Sequence, residues 1–313
     1  MNVKMNKKTI TIIGAGNVGA TTAQLIMAKR LANVVMVDIA GDLAKGKALD
    51  IAEASPLGGL DCEISGGKDY EITSESEIGV ITAGSARKPG MSREDLLRIN
   101  ASVIKSVTKE FIKYSPKAKI IVVTNPLDAM AYVSMKASEL PRNRVLGMAG
   151  VLDSARLSFF VSQELGINPT KIKSIVLGSH GNSMVPLINH TTVEGKAITS
   201  ILSKEKIQVL IDRTKKGGIE MVNLLKNGSA YYAPAASITR MVRAILKDEK
   251  EILPCSAYLK GEYGIEGCFL GVPVKLGSKG IEEIVELKLD DIELKMLNES
   301  AQISKNLIKK LED

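Results

Sequence analysis

The chain has 313 residues, enough for one large composite domain or two medium ones, and its 45% apolar and 25% charged residues exclude a disordered or fibrous protein. Its 42 basic and 35 acidic side chains give a net charge of +7, but the lysines stand singly or in pairs among acids, aromatics are few and Trp is absent, which excludes a nucleic-acid binder. Three scattered cysteines, Cys62, Cys255 and Cys268, suit reduced thiols in a cytoplasmic protein, have no metal-site spacing, and accompany no apolar run near the roughly 18 residues of a membrane span.

The polar start Met1-Asn2-Val3-Lys4 is no signal peptide, and residues 1–7 are expected to form a short disordered tail. Short β-rich apolar runs then alternate with helix-like stretches: Thr9–Ile13 and 18–31, Val34–Asp38 and 42–54, Ile78–Ala83 and 93–114, Lys119–Thr124 and 127–138. That alternation predicts an α/β fold, a Rossmann-type doubly wound parallel sheet with strands buried on both faces, over residues 1–147.

The first strand runs into Gly14-Ala15-Gly16-Asn17-Val18-Gly19 and a helix follows. Gly-x-Gly-x-x-Gly alone is weak, but here Asp38 closes the next strand 19 residues after Gly19, which completes a dinucleotide fingerprint. Gly14 permits the tight turn, Gly16 lets backbone approach the pyrophosphate, and Gly19 lets helix and strand pack closely, with the helix amino end toward the phosphates. Asp38 accepts from a ribose 2′-hydroxyl and repels a 2′-phosphate, so NAD is preferred over NADP. The plainer reading, a Gly-rich turn with an incidental acid, is disfavoured by the combined spacing.

After the third strand, Ala83-Gly84-Ser85-Ala86-Arg87-Lys88-Pro89-Gly90-Met91-Ser92-Arg93 puts three cations around Pro and Gly. It reads either as a solvent-facing loop or as one that closes on an anion. The fourth strand ends in Thr124-Asn125-Pro126, and ligands of such sheets bind at strand carboxyl ends, which places Asn125 in a site.

Past residue 147 the pattern becomes α+β, and residues 148–313 are expected to form a substrate/catalytic domain. A helix runs from about Asp153 to Leu165, Ile172–Gly178 and Ser183–Asn189 read as strands, and 203–225 and 229–246 as helices. Ile265–Leu276, broken by Gly267, Gly271 and Pro273, reads as a hairpin, and 290–311 as an amphipathic helix. Of the two histidines, His190 sits late in an apolar run and reads as structural. His180 lies in the turn Gly178-Ser179-His180-Gly181-Asn182, where a ring can face a cleft. Hydride transfer from a carbinol carbon needs a base of imidazole's pKa. Asp153 and Arg156, at i and i+3, share one helix face, either as an ordinary surface ion pair or as an orienting acid and a carboxylate clamp.

With these residues in place the chain resembles the lactate/malate dehydrogenase family along nearly its whole length, nearest the lactate-dehydrogenase-like malate dehydrogenases of bacteria and archaea. The matching pieces are Gly-Ala-Gly-Asn-Val-Gly, Ala-Arg-Lys-Pro-Gly-Met-Ser-Arg, Val-Thr-Asn-Pro, Leu-Asp-Ser-Ala-Arg and Gly-x-His-Gly-x-x-Met-Val-Pro. The resemblance implies His180 as acid/base, Asp153 as its orienting partner, Arg156 as clamp on the C1 carboxylate and Arg93 as the group polarising the carbonyl. It also implies that Asn125 contacts substrate and nicotinamide, that Asn100, Val123 and Thr124 line the cofactor, and that Ala230 is a small pocket wall.

Arg87 stands where the family discriminates substrates, lactate enzymes typically carrying Gln, so malate and oxaloacetate are the implied pair. A homodimer or homotetramer is implied as well. The family usually has Asp in place of Asn182 and commonly Gly or Glu in place of Ser179, and losing a negative charge near His180 implies a less basic imidazole. A lactate dehydrogenase differs chemically only at Arg87. An NAD-dependent glycosidase needs a Cys/His metal set, and a non-catalytic NAD sensor would have no use for the five site residues together.

Overall fold

The computed structural model of the protein describes residues 7–85 and 92–312, apart from the Arg93 side chain. Of the expected tail, residues 1–6 lie outside the described residues, whereas Lys7 is held, its ammonium bonded to Asp61 and, at 3.2 Å, to the Cys62 sulfur. Lys7 thus makes contacts before the first strand begins.

The first half folds as β1 (Thr9–Ile13), α1 (Asn17–Ala28), β2 (Asn33–Val37), α2 (Gly41–Glu53), α3 (Ser55–Gly58), β3 (Ile64–Gly67), β4 (Ile78–Ile81), α4 (Arg93–Tyr114), β5 (Lys119–Val122), α5 (Leu127–Ser138) and β6 (Val145–Gly147). These strands pair in parallel in the order β3-β2-β1-β4-β5-β6. The order reverses between β1 and β4, and the crevice at their carboxyl ends is where such sheets bind ligands. The four apolar runs predicted as strands are β1, β2, β4 and β5, nearly all of their residues buried. Two strands, β3 and β6, had no sequence signal strong enough to be predicted.

The second half continues with α6 (Gly150–Leu165), β7 (Ile172–Lys173), β8 (Val176–Leu177), β9 (Val185–Pro186), β10 (Thr192–Val193), β11 (Lys196–Ala197), α7 (Lys204–Leu225), α8 (Tyr232–Leu246), β12 (Glu251–Lys260), β13 (Glu266–Gly277), β14 (Gly280–Ile284) and α9 (Asp291–Glu312). Strands β12, β13 and β14 extend the first sheet in antiparallel fashion, β12 joining β6 where Ser256 faces Gly147. Ile265–Leu276 is thus not a hairpin of its own but the body of β13, and the turn lies before it. Pro273 is tolerated because it stands opposite Pro254, and Gly271 because a Cβ there would meet the Gly178 carbonyl at 2.4 Å. The run Ile172–Gly178, expected as one strand, divides into β7 and β8 in separate small sheets, and Ser183–Asn189 is strand only at β9.

Helix α1 lays Ala23, Ile26 and Met27 against the α8 face that carries Ile238, Met241 and Val242, all essentially inaccessible to water. Each of the larger of these side chains contributes about 1.5–3 kcal/mol on burial, which ties α1 to the second half. Among the described residues no helix is long and apolar enough to cross a membrane, and no group of three or more His, Cys, Asp or Glu is placed to hold a metal.

Candidate active site

The loop between β1 and α1 is shaped by sterics. Gly14 has φ +108°, in the region where a side chain strains the backbone, and a Cβ there would stand 2.6 Å from the Ala83 nitrogen. A Cβ on Gly19 would come 1.9 Å from the Gly14 carbonyl oxygen. Gly16 differs: nothing lies within 4 Å of its added Cβ, so its bare side opens outward. Asn17 is exposed and Val18 half-buried, and α1 begins with no side-chain cap and no acid in its first turn. Its amino end is left uncapped by side chains for an anion, and the residues fit a dinucleotide pyrophosphate.

Asp38, at the end of β2, accepts from the Ala15 N–H at 2.7 Å and from the Ala40 N–H at 2.9 Å, one bond on each carboxylate oxygen. Lys47 donates to the Ala15 carbonyl at 2.8 Å. Asp38 therefore fixes the glycine loop as well as standing at the rim where a ribose would lie, and neither this second duty nor Lys47 was visible in the spacing.

Hydroxyl and amide side chains stitch the strand ends together. Thr82 donates to the Gly14 carbonyl at 2.9 Å and Thr124 to the Ala83 carbonyl at 2.6 Å. Asn100, only 1% exposed, accepts from the Ser85 N–H at 2.8 Å and donates to the Asn125 carbonyl at 2.7 Å. Its amide is thus directed to backbone, and it reaches any cofactor only through the segments it holds. Val123 is half-buried and Asn125 exposed beside them. Arg87 and residues 86–91 around it lie outside the described residues, as does the Arg93 side chain. The Arg93 backbone opens α4, and that start is set by a capping box in which Ser92 accepts from the Asp95 N–H while Asp95 accepts from the Ser92 N–H, each at 3.0 Å.

The reacting groups meet although 27 residues separate them in sequence. Asp153, in the first turn of α6 and 1% exposed, lies 2.9 Å from His180 Nδ1 through Oδ2. Its Oδ1 lies 3.5 Å from Arg156 Nη1. The Asp153 charge raises the His180 pKa above its ordinary value, while burial and the Arg156 guanidinium oppose it. The bond to Nδ1 fixes that nitrogen as the one bearing hydrogen and leaves Nε2 for chemistry. Ala230 is half-buried just ahead of α8, and His190 lies in a short 3-10 helix apart from this cluster.

Gly217, buried in the middle of α7, was not foreseen. A Cβ there would stand 3.2 Å from Arg156 Cδ, a tight contact that the arginine side chain could relieve only by shifting a few tenths of an ångström. The neighbouring Gly218 has nothing within 4 Å of its added Cβ. Gly218→Ala is expected to leave kinetics unchanged and stabilise the fold by about 0.5–1 kcal/mol, because helix glycines are entropically costly. Gly217→Ala should instead raise KM for substrate about tenfold, if Arg156 holds a substrate carboxylate as the sequence implies, by displacing that side chain. Thermal unfolding and steady-state kinetics on the pair test this, and identical behaviour of the two variants would contradict it.

Two family models match the chain: the lactate/malate dehydrogenase NAD binding domain over residues 8–147 and the lactate/malate dehydrogenase alpha/beta C-terminal domain over residues 150–313. A malate dehydrogenase of Bacillus israeli is 53% identical over 309 residues, 98% of this chain and 99% of the relative. Among solved structures, the apo malate dehydrogenase of Picrophilus torridus superposes with a TM-score of 0.96 at 43% identity, covering 98% of each chain. A Cryptosporidium parvum lactate dehydrogenase complexed with lactic acid and nicotinamide adenine dinucleotide gives 0.95 at 38% identity and covers 99% of each. The chain belongs to the lactate/malate dehydrogenase family.

Proposed function

We propose that this chain is an NAD-dependent malate dehydrogenase that interconverts (S)-malate and oxaloacetate. The observation that carries the chemistry is the single buried carboxylate of Asp153, 2.9 Å from His180 and 3.5 Å from Arg156. The choice of substrate is supported by relatives named malate dehydrogenase at 52–53% identity and by Arg87 in the sequence.

Bound NAD supplies the hydride acceptor in one direction and, reduced, the donor in the other. Arg156 holds the C1 carboxylate in a bidentate grip, and Arg87 pairs with the second carboxylate. Arg93 polarises the carbonyl, and protonated His180 gives its Nε2 proton to the carbonyl oxygen as the hydride arrives at carbon. In reverse, neutral His180 takes the hydroxyl proton. Asp153 holds the ring in the needed tautomer and stabilises the imidazolium. Asn125 orients substrate beside the nicotinamide, and the backbone of Val123 and Thr124, with Asn100 behind it, walls the cofactor groove. Gly14, Ala15, Gly16, Asn17, Val18 and Gly19 would hold the pyrophosphate, and Asp38 the ribose.

The division into an NAD-binding domain, 1–147, and a catalytic domain, 148–313, belongs to the same proposal. So does assembly into a homodimer or homotetramer, supported by exposed Leu43 and Leu49 on α2 and by Leu57 of α3, which is 92% exposed. A cytoplasmic location is supported by three buried free cysteines.

Oxaloacetate-dependent oxidation of NADH and NADPH tests the proposal. NADH should be strongly preferred, and Asp38→Asn, which keeps an acceptor for the Ala15 N–H but loses the charge, should improve kcat/KM with NADPH about tenfold relative to NADH. Equal use of both cofactors by the unaltered chain would contradict the role given to Asp38.

A further inference from the structure

The turn that carries His180 is pinned by three other elements. Gly178 donates its N–H to the Gly271 carbonyl of β13 at 2.8 Å, and Ser179 donates its N–H to the Ser300 hydroxyl of α9 at 2.8 Å. The third tie is the Ser179 hydroxyl, which donates to Oδ2 of Asp128 in the first turn of α5. Asp128 is 5% exposed and accepts a second hydroxyl bond, from Ser256 of β12, at 2.6 Å on Oδ1.

No lysine or arginine pairs with Asp128 among the described residues, and a buried carboxylate without a cation is costly. Burial lifts its carboxyl to about 6, while the two hydroxyl donors and His180 pull it down and Asp153 pushes it up. The charged or titratable groups around it are therefore His180 and Asp153 on one side. Arg156 acts on the same imidazole. From β13 comes the Cys268 thiol, itself lifted by burial to about 11, with Lys305 of α9 beyond it. None of the roles assigned above uses this second buried acid.

We propose that Asp128 is a positioning residue for His180, holding the turn through the Ser179 hydroxyl and adding its negative charge to that of Asp153 in the field at the imidazole. The inference rests on the reading of His180 as the proton-transfer residue. It also gives Ser179 a purpose: the departure from Gly or Glu places at this position a hydroxyl short enough to join the turn to a carboxylate already in the core. The negative charge forgone at Asn182 has a counterpart in Asp128.

The test is Asp128→Asn in the full chain, read by NMR titration of the imidazoles. There are only two histidines, so His180→Gln assigns the signal. Asparagine keeps one acceptor for the hydroxyls and removes the charge. The His180 midpoint should fall by about half to one pH unit. The alkaline limb of kcat/KM for oxaloacetate reduction should move down with it, while KM for NADH stays as it was. Ser179→Ala, which keeps the charge and cuts the tether, should lower kcat about tenfold with a smaller change in the midpoint.

An Asp128→Asn protein that binds NADH but titrates at His180 as the unaltered chain does overturns the proposal, even if its thermal midpoint is lower. Should that variant not fold, Ser179→Ala decides, and unchanged kcat in it overturns the tether. Absence of any 2-oxo acid reduction by the unaltered chain would sink the activity reading instead, and the imidazole titration would still decide the role of Asp128.

Discussion

Arg87→Gln is expected to lower kcat/KM for oxaloacetate by about 10²–10³ and to raise it for pyruvate, moving the ratio of the two by about a thousandfold or more. The reason is asymmetric. In the role proposed for Arg87, loss of the guanidinium would remove its charge-assisted hydrogen bonds to the second carboxylate of oxaloacetate and leave that carboxylate facing a neutral amide. With pyruvate, an arginine in that role would face a methyl group with its charge desolvated and unpaired, so glutamine would relieve a cost. Arg87→Lys is no substitute, since an ammonium keeps the charge but loses the planar fork, and an intermediate ratio is expected. Steady-state NADH oxidation with each acid checks both variants. An Arg87→Gln protein with the specificity of the unaltered chain would remove Arg87 from the account.

His180→Asn should cost about 10³–10⁴ in kcat in both directions while NADH still binds, because the proton has no other carrier in the cluster. Asp153→Asn should cost about 10²–10³ and also change the pH profile. The sign follows from the raised His180 pKa, whose largest cause is the Asp153 charge. Oxaloacetate reduction needs imidazolium, so its kcat/KM holds at low pH and falls as pH rises through the His180 pKa. Malate oxidation needs the neutral ring and rises across the same interval. With Asp153→Asn both limbs move to lower pH. The His180–Asp153 contact also adds stability below the unfolded histidine pKa, and this is lost as pH rises through the folded value. The thermal midpoints of the unaltered and Asp153→Asn proteins should therefore converge at alkaline pH.

The alternation of apolar runs with helical stretches was enough to specify a parallel sheet, because a strand covered on both faces has no polar side to disguise it. Strand β3 escaped because Ile64-Ser65-Gly66-Gly67 is an edge strand with little side chain to bury, and β6 because three residues carry no period. The glycines and proline of β13 read as breakers for the same reason that they are accommodated. Gly271 is demanded by the passing Gly178 carbonyl, and Pro273 lies across from Pro254, contacts made by segments far away in sequence.

The candidate site was legible where one residue's chemistry sufficed to propose it. Asp38 at a strand end and His180 in a Gly-flanked turn signal themselves. The partners that tune them do not: Lys47 on the glycine loop, Gly217 over Arg156, and Asp128 under Ser179 are brought in by tertiary packing. Asp128 left one trace in the sequence, a lone acid between Asn125-Pro126-Leu127 and the apolar run that follows, at a position the structure buries. A charge on the inward face of a helix is worth such scrutiny because burying it is expensive.

The measurement that bears most directly on the central claim is the pair of kcat/KM values for oxaloacetate and pyruvate, taken with NADH on the unaltered chain under one set of conditions. A ratio of at least about a hundred in favour of oxaloacetate is expected. Equal values, or a preference for pyruvate, would contradict it.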